Sequence, residues 1–127
     1  MKKILLFLSL LIASIACKNQ ARADGIDLIS VKQFEEEYDP ASDILLDVRT
    51  AKEYKEGYIK DAINVDVLDE KKFKQEIQDL DRDKTVYLYC RTGRRSAVAS
   101  KLLKEEGFRE IKDLIGGIEQ WNKKKQE

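Results

Sequence analysis

The 127-residue chain contains no histidine. That absence removes every mechanism in which an imidazole activates a cysteine or serine, and it leaves a zinc site without support, so no metal is expected. Proline occurs once, tryptophan once and cysteine twice, as Cys17 and Cys90. Charge of one sign is not in excess: 24 basic residues face 24 acidic ones, which gives no broad basic surface for nucleic acid. The longest apolar run, Ile4 to Ala16, has thirteen residues broken only by Ser9 and Ser14. A membrane-spanning helix needs about 20. There is no internal repeat and no low-complexity segment.

The amino-terminal stretch reads as a leader. Met1-Lys2-Lys3 is a short basic head before the apolar run, the pattern of a secretory signal peptide over residues 1–16. Ser14-Ile15-Ala16-Cys17 resembles a lipobox, in which the cysteine is lipidated and becomes the new amino terminus; that family usually has Leu where Ser14 stands. Ala21-Arg22-Ala23 has the small-x-small form of ordinary signal cleavage and is the alternative. Loss of Lys2 and Lys3 leaves 22 basic against 24 acidic residues. Either route makes Cys90 the only free thiol of an exported protein, where paired cysteines are the norm. A lone thiol in that setting suggests chemistry. Residues 17–25 are polar and small and read as a flexible tether. The expected location is the bacterial cell envelope on the periplasmic side, lipid-anchored through Cys17, or soluble after cleavage at Ala23.

The remaining residues, 26–127, suffice for one core and not two. Ile26 to Ile29 is a strand candidate. Ser30 then caps a helix whose buried stripe is Val31, Phe34 and Tyr38, and Pro40 ends it. Asp43 to Val48 reads as a strand covered on both faces. Ala51 to Glu56 gives one or two helical turns closed by Gly57, with Glu53 on the surface and Tyr54 in the core. Ile63-Asn64-Val65 is a third short strand, and Glu70 to Leu80 a helix with Phe73, Ile77 and Leu80 inward. Thr85 to Tyr89 is a buried strand, Ala97 to Glu106 a helix with Val98, Ala99, Leu102 and Leu103 inward, and Gly107 its cap. Ile111 to Ile115 and Gly117 to Lys125 are the last strand and helix. Strands alternating with helices predict an α/β domain with a parallel sheet. Such sheets bind ligands beyond the carboxyl ends of their strands, where both Asp47 and Cys90 fall.

Between the strand ending at Tyr89 and the following helix lies Cys90-Arg91-Thr92-Gly93-Arg94-Arg95-Ser96. The start of a helix presents unpaired N–H groups and partial positive charge to this loop, and three arginines add formal charge. A thiol in such a field favours the nucleophilic thiolate. Gly93 permits the positive φ or close backbone approach that an anion-cradling loop needs. One or two of Arg91, Arg94 and Arg95 are expected to face a ligand and the rest to face solvent. Thr92 and Ser96 offer hydroxyls, although Ser96 also fits the first turn of the helix. Asp47 and Arg49 read as an ion pair at a strand end.

This loop resembles the active-site loop of the rhodanese family, the single-domain thiosulfate sulfurtransferases. Asp47-Val48-Arg49, Glu53-Tyr54, Gly57-Tyr58-Ile59 and Ala62-Ile63-Asn64-Val65 resemble the family's first signature, and Leu114-Ile115-Gly116-Gly117 with Trp121 its last. The match spans residues 26 to 125 in the family's order. It implies about five parallel strands with helices on both faces. It also implies Cys90 as catalytic nucleophile, Arg91 to Ser96 as substrate-binding loop with Arg95 closing it, Asp47 and Arg49 in support, and no cofactor. The family often has His where Tyr58 stands and Gly where Asp61 stands; Asp can adopt the left-handed turn. The glycine pair and Trp121 are read as packing.

Sulfane-sulfur transfer is therefore the leading expectation, with a small anionic sulfur donor, a thiophilic acceptor and a monomeric domain. A phosphatase or arsenate reductase is the second; related folds put Arg six positions after Cys, whereas here Ser96 holds that place and Arg95 stands at five. The third is a persulfide carrier or protein-interaction module with little turnover of its own.

Overall fold

A computed structural model describes residues 25–127. The predicted leader, Cys17 and the tether up to Asp24 lie outside the described residues. Ten elements follow one another: β1 (Ile26–Ile29), α1 (Val31–Glu37), β2 (Ile44–Asp47), α2 (Ala51–Lys55), β3 (Ile63–Asn64), α3 (Glu70–Glu76), β4 (Val86–Tyr89), α4 (Arg94–Glu105), β5 (Ile111–Leu114) and α5 (Gly117–Lys125). The five strands are parallel in the order β1-β5-β4-β2-β3. β4 is therefore central, and all four of its residues are buried. Strand periodicity sends Val86, Leu88 and Cys90 to one face and Tyr87 and Tyr89 to the other.

Each face carries its own apolar layer. On one, Leu46, Val48, Val86 and Leu88 pack against Phe73 and Ile77 of the α3 region and Ala99, Leu102 and Leu103 of α4. On the other, Ile29, Leu45, Tyr87 and Leu114 pack against Val31 and Phe34 of α1 and Ile118 of α5, with Trp121 at the margin. The expectation of helices on both faces is met. Trp121 packs edge-on against Phe34 with ring centroids 5.6 Å apart, as its packing role required.

Local chemistry explains the short elements. Ser30 and Thr50 each close a capping box, with Gln33 and Glu53 reaching back to the cap amides of α1 and α2. α3 stops at Glu76 rather than Leu80, and Arg82 donates to the freed carbonyls of Ile77 and Leu80 and to that of Glu106 at the end of α4. Asp61 takes the left-handed conformation at φ 71°.

Candidate active site

Cys90 follows the last residue of the central strand and is buried. Its position is fixed from three directions. The next residues turn through Gly93, whose φ of 125° falls where side chains are rarely tolerated, although a Cβ there would meet nothing within 4 Å. Glycine is thus required for conformation and not for space. The turn brings the Gly93 N–H to 3.0 Å from Cys90 Sγ. Ser96, fully buried in the first turn of α4, lies with Oγ 3.5 Å from the sulfur and donates to the Gly93 carbonyl at 3.1 Å.

The third direction comes from α5. Ile118 N–H donates to the Cys90 carbonyl at 3.0 Å and Glu119 N–H to the Arg91 carbonyl at 3.2 Å. These first-turn amides would otherwise lack helical partners. The approach is so close that a Cβ on Gly117 would stand 2.5 Å from the Cys90 oxygen and 2.6 Å from the Arg91 oxygen. The glycine pair read as packing does pack, and what it packs against is the backbone of the cysteine loop.

α4 begins at Arg94, three residues before the predicted Ala97, because Gly93 serves as its N-cap. Arg94 and Arg95 accordingly belong to the helix's first turn. Val98, expected on the buried stripe, is 45% exposed; Ser96, Ala99, Ser100, Leu102 and Leu103 form the stripe instead.

The arginines separate by environment. Arg95 is half-buried and its guanidinium donates to both carboxylate oxygens of Glu53, at 2.6 and 2.8 Å. This bidentate pair holds the Glu53 carboxyl down at about 2, chiefly through the Arg95 hydrogen bond, against burial and with help from Thr50. The Arg95 guanidinium is held above its usual range by the same bond. Sequence reasoning put Glu53 on the helix surface; the Thr-x-x-Glu capping pattern was the signal that its carboxylate folds back toward the sheet edge. Arg91 is exposed and pairs with Glu119 at 2.9 Å. Arg94 and Thr92 are exposed.

Asp47 and Arg49 form the expected ion pair. Arg49 Nη2 and Nε donate to the Asp47 carboxylate at 2.7 to 3.1 Å, and Nη2 also donates to the Gly57 carbonyl at 2.7 Å. Burial opposes the guanidinium's charge, but the Asp47 bond outweighs it and keeps the pKa above its usual value. Asn64 Nδ2 bridges the Asp47 and Arg49 carbonyls at 3.0 and 2.8 Å. Asp47 shares the carboxyl edge of the sheet with Cys90, yet it alternates with Leu46 and so points to the tyrosine face, opposite the sulfur. There the Arg49 guanidinium lies 5.8 Å from the Tyr89 ring centre. Burial, then the Asp47 charge, pushes the Tyr89 phenol up, and its oxygen accepts from the Ile59 N–H at 3.0 Å. The pair thus braces the β2 end and the Gly57 turn. A cleft of about 340 Å³ beside it is lined by Arg49, Glu53, Gly57, Tyr58, Ile118 and Asn122 among others. Tyr58, where the family often has histidine, is half-exposed and stacks on Tyr54 at 4.1 Å.

Among the described residues no His/Cys/Asp/Glu group could hold a metal ion, and no helix is long and apolar enough to cross a membrane. Chemically, the loop supplies a thiol with a directed N–H donor, a hydroxyl and cationic side chains.

Residues 30–124 match the family model described as a rhodanese-like domain. The chain belongs to the rhodanese family. Its rhodanese domain is similar to a protein of Bacillus subtilis named putative sulfur carrier protein YrkF, 28% identical over 80% of this chain and 54% of that one. The chain therefore spans about half the length of that relative. It is also similar to the thiosulfate sulfurtransferase GlpE of Coxiella burnetii, 33% identical over 61% of this chain and 70% of the relative. The human single-domain sulfurtransferase TSTD1 shares the fold, with a TM-score of 0.68, 19% identity, and coverage of 76% and 96% of the two chains.

Proposed function

We propose that this rhodanese domain is a thiosulfate sulfurtransferase that moves sulfane sulfur through a persulfide on Cys90. The Cys90 thiolate attacks the outer sulfur of thiosulfate or a similar donor. The donor's S–S bond breaks, sulfite leaves with its electron pair, and a Cys90 persulfide forms. A thiophilic acceptor then takes the outer sulfur and releases the thiolate. The observation that carries this reading is the Gly93 N–H aimed at Cys90 Sγ from 3.0 Å at the start of a twelve-residue helix. A donor in that position stabilises negative charge on sulfur without waiting for solvent to reorganise. Ser96 has one hydroxyl proton, which bonds the Gly93 carbonyl; rotating it toward the sulfur would supply a second donor.

The test is thiocyanate formation from thiosulfate and cyanide, with aryl phosphate hydrolysis measured beside it. Sulfur transfer that disappears in Cys90→Ser, with negligible phosphatase activity, is expected. Robust phosphatase turnover lost in Cys90→Ser would overturn the reading in favour of the alternative oxyanion chemistry.

A second reading is a persulfide carrier with little turnover alone. It is favoured by the similarity to a protein named a putative sulfur carrier and by the burial of Cys90. It differs in outcome: the persulfide forms stoichiometrically, and turnover needs a partner. For either reading we place the protein at the periplasmic side of the cell envelope, as a monomer anchored by lipid on Cys17.

A further inference from the structure

Two of the three loop arginines already face a carboxylate, and the two pairs are unequal. Arg91 and Glu119 are 66% and 47% exposed, and exposed pairs contribute only about 0–1 kcal/mol. Arg95 and Glu53 are 23% and 27% exposed and joined by two parallel bonds. Glu53 is moreover oriented before it meets Arg95. Its Oε1 accepts from Thr50 Oγ1 at 3.1 Å and from the Thr50 N–H at 3.4 Å, while the Glu53 N–H donates back to Thr50 Oγ1. The strut therefore runs from the capped start of α2 to the first turn of α4, two elements 42 residues apart in sequence. Glu53 offsets the Arg95 charge at contact distance, although Arg95 still interacts electrostatically with Cys90. Glu53 occupies the Nη1/Nη2 edge of the Arg95 fork and so takes up one of its two-pronged faces. Arg94, by contrast, is exposed in the same helical turn and has no ion-pair partner among the described residues.

We propose that Glu53 is a positioning residue of the cysteine loop, acting through Arg95, and that Arg94 is the residue that selects anionic reagents at Cys90. This rests on the reading of Cys90 as nucleophile, but its test does not depend on sulfur transfer. Cys90 displaces iodide from iodoacetate, an anion, and from iodoacetamide, a neutral analogue; the ratio of the two rates reports the charge that an incoming reagent meets.

With the full chain, Arg94→Gln is expected to lower that ratio about 3- to 10-fold, the scale of one exposed charge acting through screened solvent. Its KM for thiosulfate should rise more than its kcat falls. Glu53→Gln keeps a side chain able to close the capping box but uncovers Arg95, so the ratio should rise. Glu53→Gln with Arg95→Gln removes the strut without changing net charge: both rates should fall together, with the ratio within about twofold of the parent. If that double variant has no thermal unfolding transition, Arg95→Lys takes its place, because it keeps the charge and the capping box but loses the bidentate fork: both rates should fall and the ratio stay within about twofold of the parent's. A ratio unmoved by Arg94→Gln but lowered in the double variant would overturn the proposal and make Arg95 the anion-binding group. Double-variant rates equal to the parent's would remove the positioning role. Absence of thiocyanate formation by the parent would instead count against the sulfurtransferase reading, with the alkylation ratios still deciding the roles of Glu53 and Arg94.

Discussion

Gly93 and Gly117 both serve the cysteine loop, for different physical reasons. A methyl group at Gly93 has room but an unfavourable φ, whereas at Gly117, itself left-handed at φ 56°, it must in addition displace the carbonyls of Cys90 and Arg91. Gly93→Ala should therefore cost about 1 kcal/mol of stability. Gly117→Ala should cost about 2–3 kcal/mol and lower sulfur transfer as well, because α5 must back away from the loop. Urea denaturation of the two variants checks the order; the reverse order would contradict the packing argument. Gly93 was legible in the sequence as a loop glycine. The demand at Gly117 was not, since it arises from a helix that lies beside the loop only after folding. Glu53 adds a pH signature. Its carboxyl titrates near 2 in the folded chain against the ordinary 4.5, so its contribution is complete above about pH 4.5 and is lost as pH falls toward 2. The loss should be about 1–2 kcal/mol once screening at a quarter-exposed pair is allowed for. Glu53→Gln should flatten stability against pH in that window. An unchanged slope would show that the Arg95 pair does not stabilise the fold.

At the scale of elements, the order of strands and helices could be read from apolar runs and cap residues, because each crossover unit carries its own periodicity. Boundaries shifted where tertiary contacts decide. α4 starts early because Gly93 caps it, and past the end of α3 the carbonyls of Ile77 and Leu80 accept from Arg82 instead of continuing the helix. The buried stripe of α4 includes Ser96 and Ser100 instead of Val98, a choice that hydrophobicity alone could not make. The Asp47–Arg49 pair was legible as an ion pair. Its face was less so, as strand alternation separates it from Cys90 although both lie at the same sheet edge. Arg49→Met should leave Asp47 buried without its partner and cost about 3–5 kcal/mol. Guanidinium denaturation measures this, and a loss below about 1 kcal/mol would contradict the bracing role assigned to the pair.

For the whole molecule, the fold places the Cys90 thiol at the end of the central strand, and the loop around it is held by α2 through Glu53, by α4 through its first turn and by α5 through backbone amides. Cys17 lies outside the described residues, and its role is decided by fractionation. In a bacterial host, membrane partition with acyl chains on Cys17, abolished by Cys17→Ala, is expected; a soluble form beginning at Asp24 would assign processing to Ala21-Arg22-Ala23 instead. The most direct test of the central claim is the intact mass of the protein before and after thiosulfate. The account predicts a gain of one sulfur atom, absent in Cys90→Ser and reversed by cyanide. No gain, or the same gain in Cys90→Ser, would contradict it.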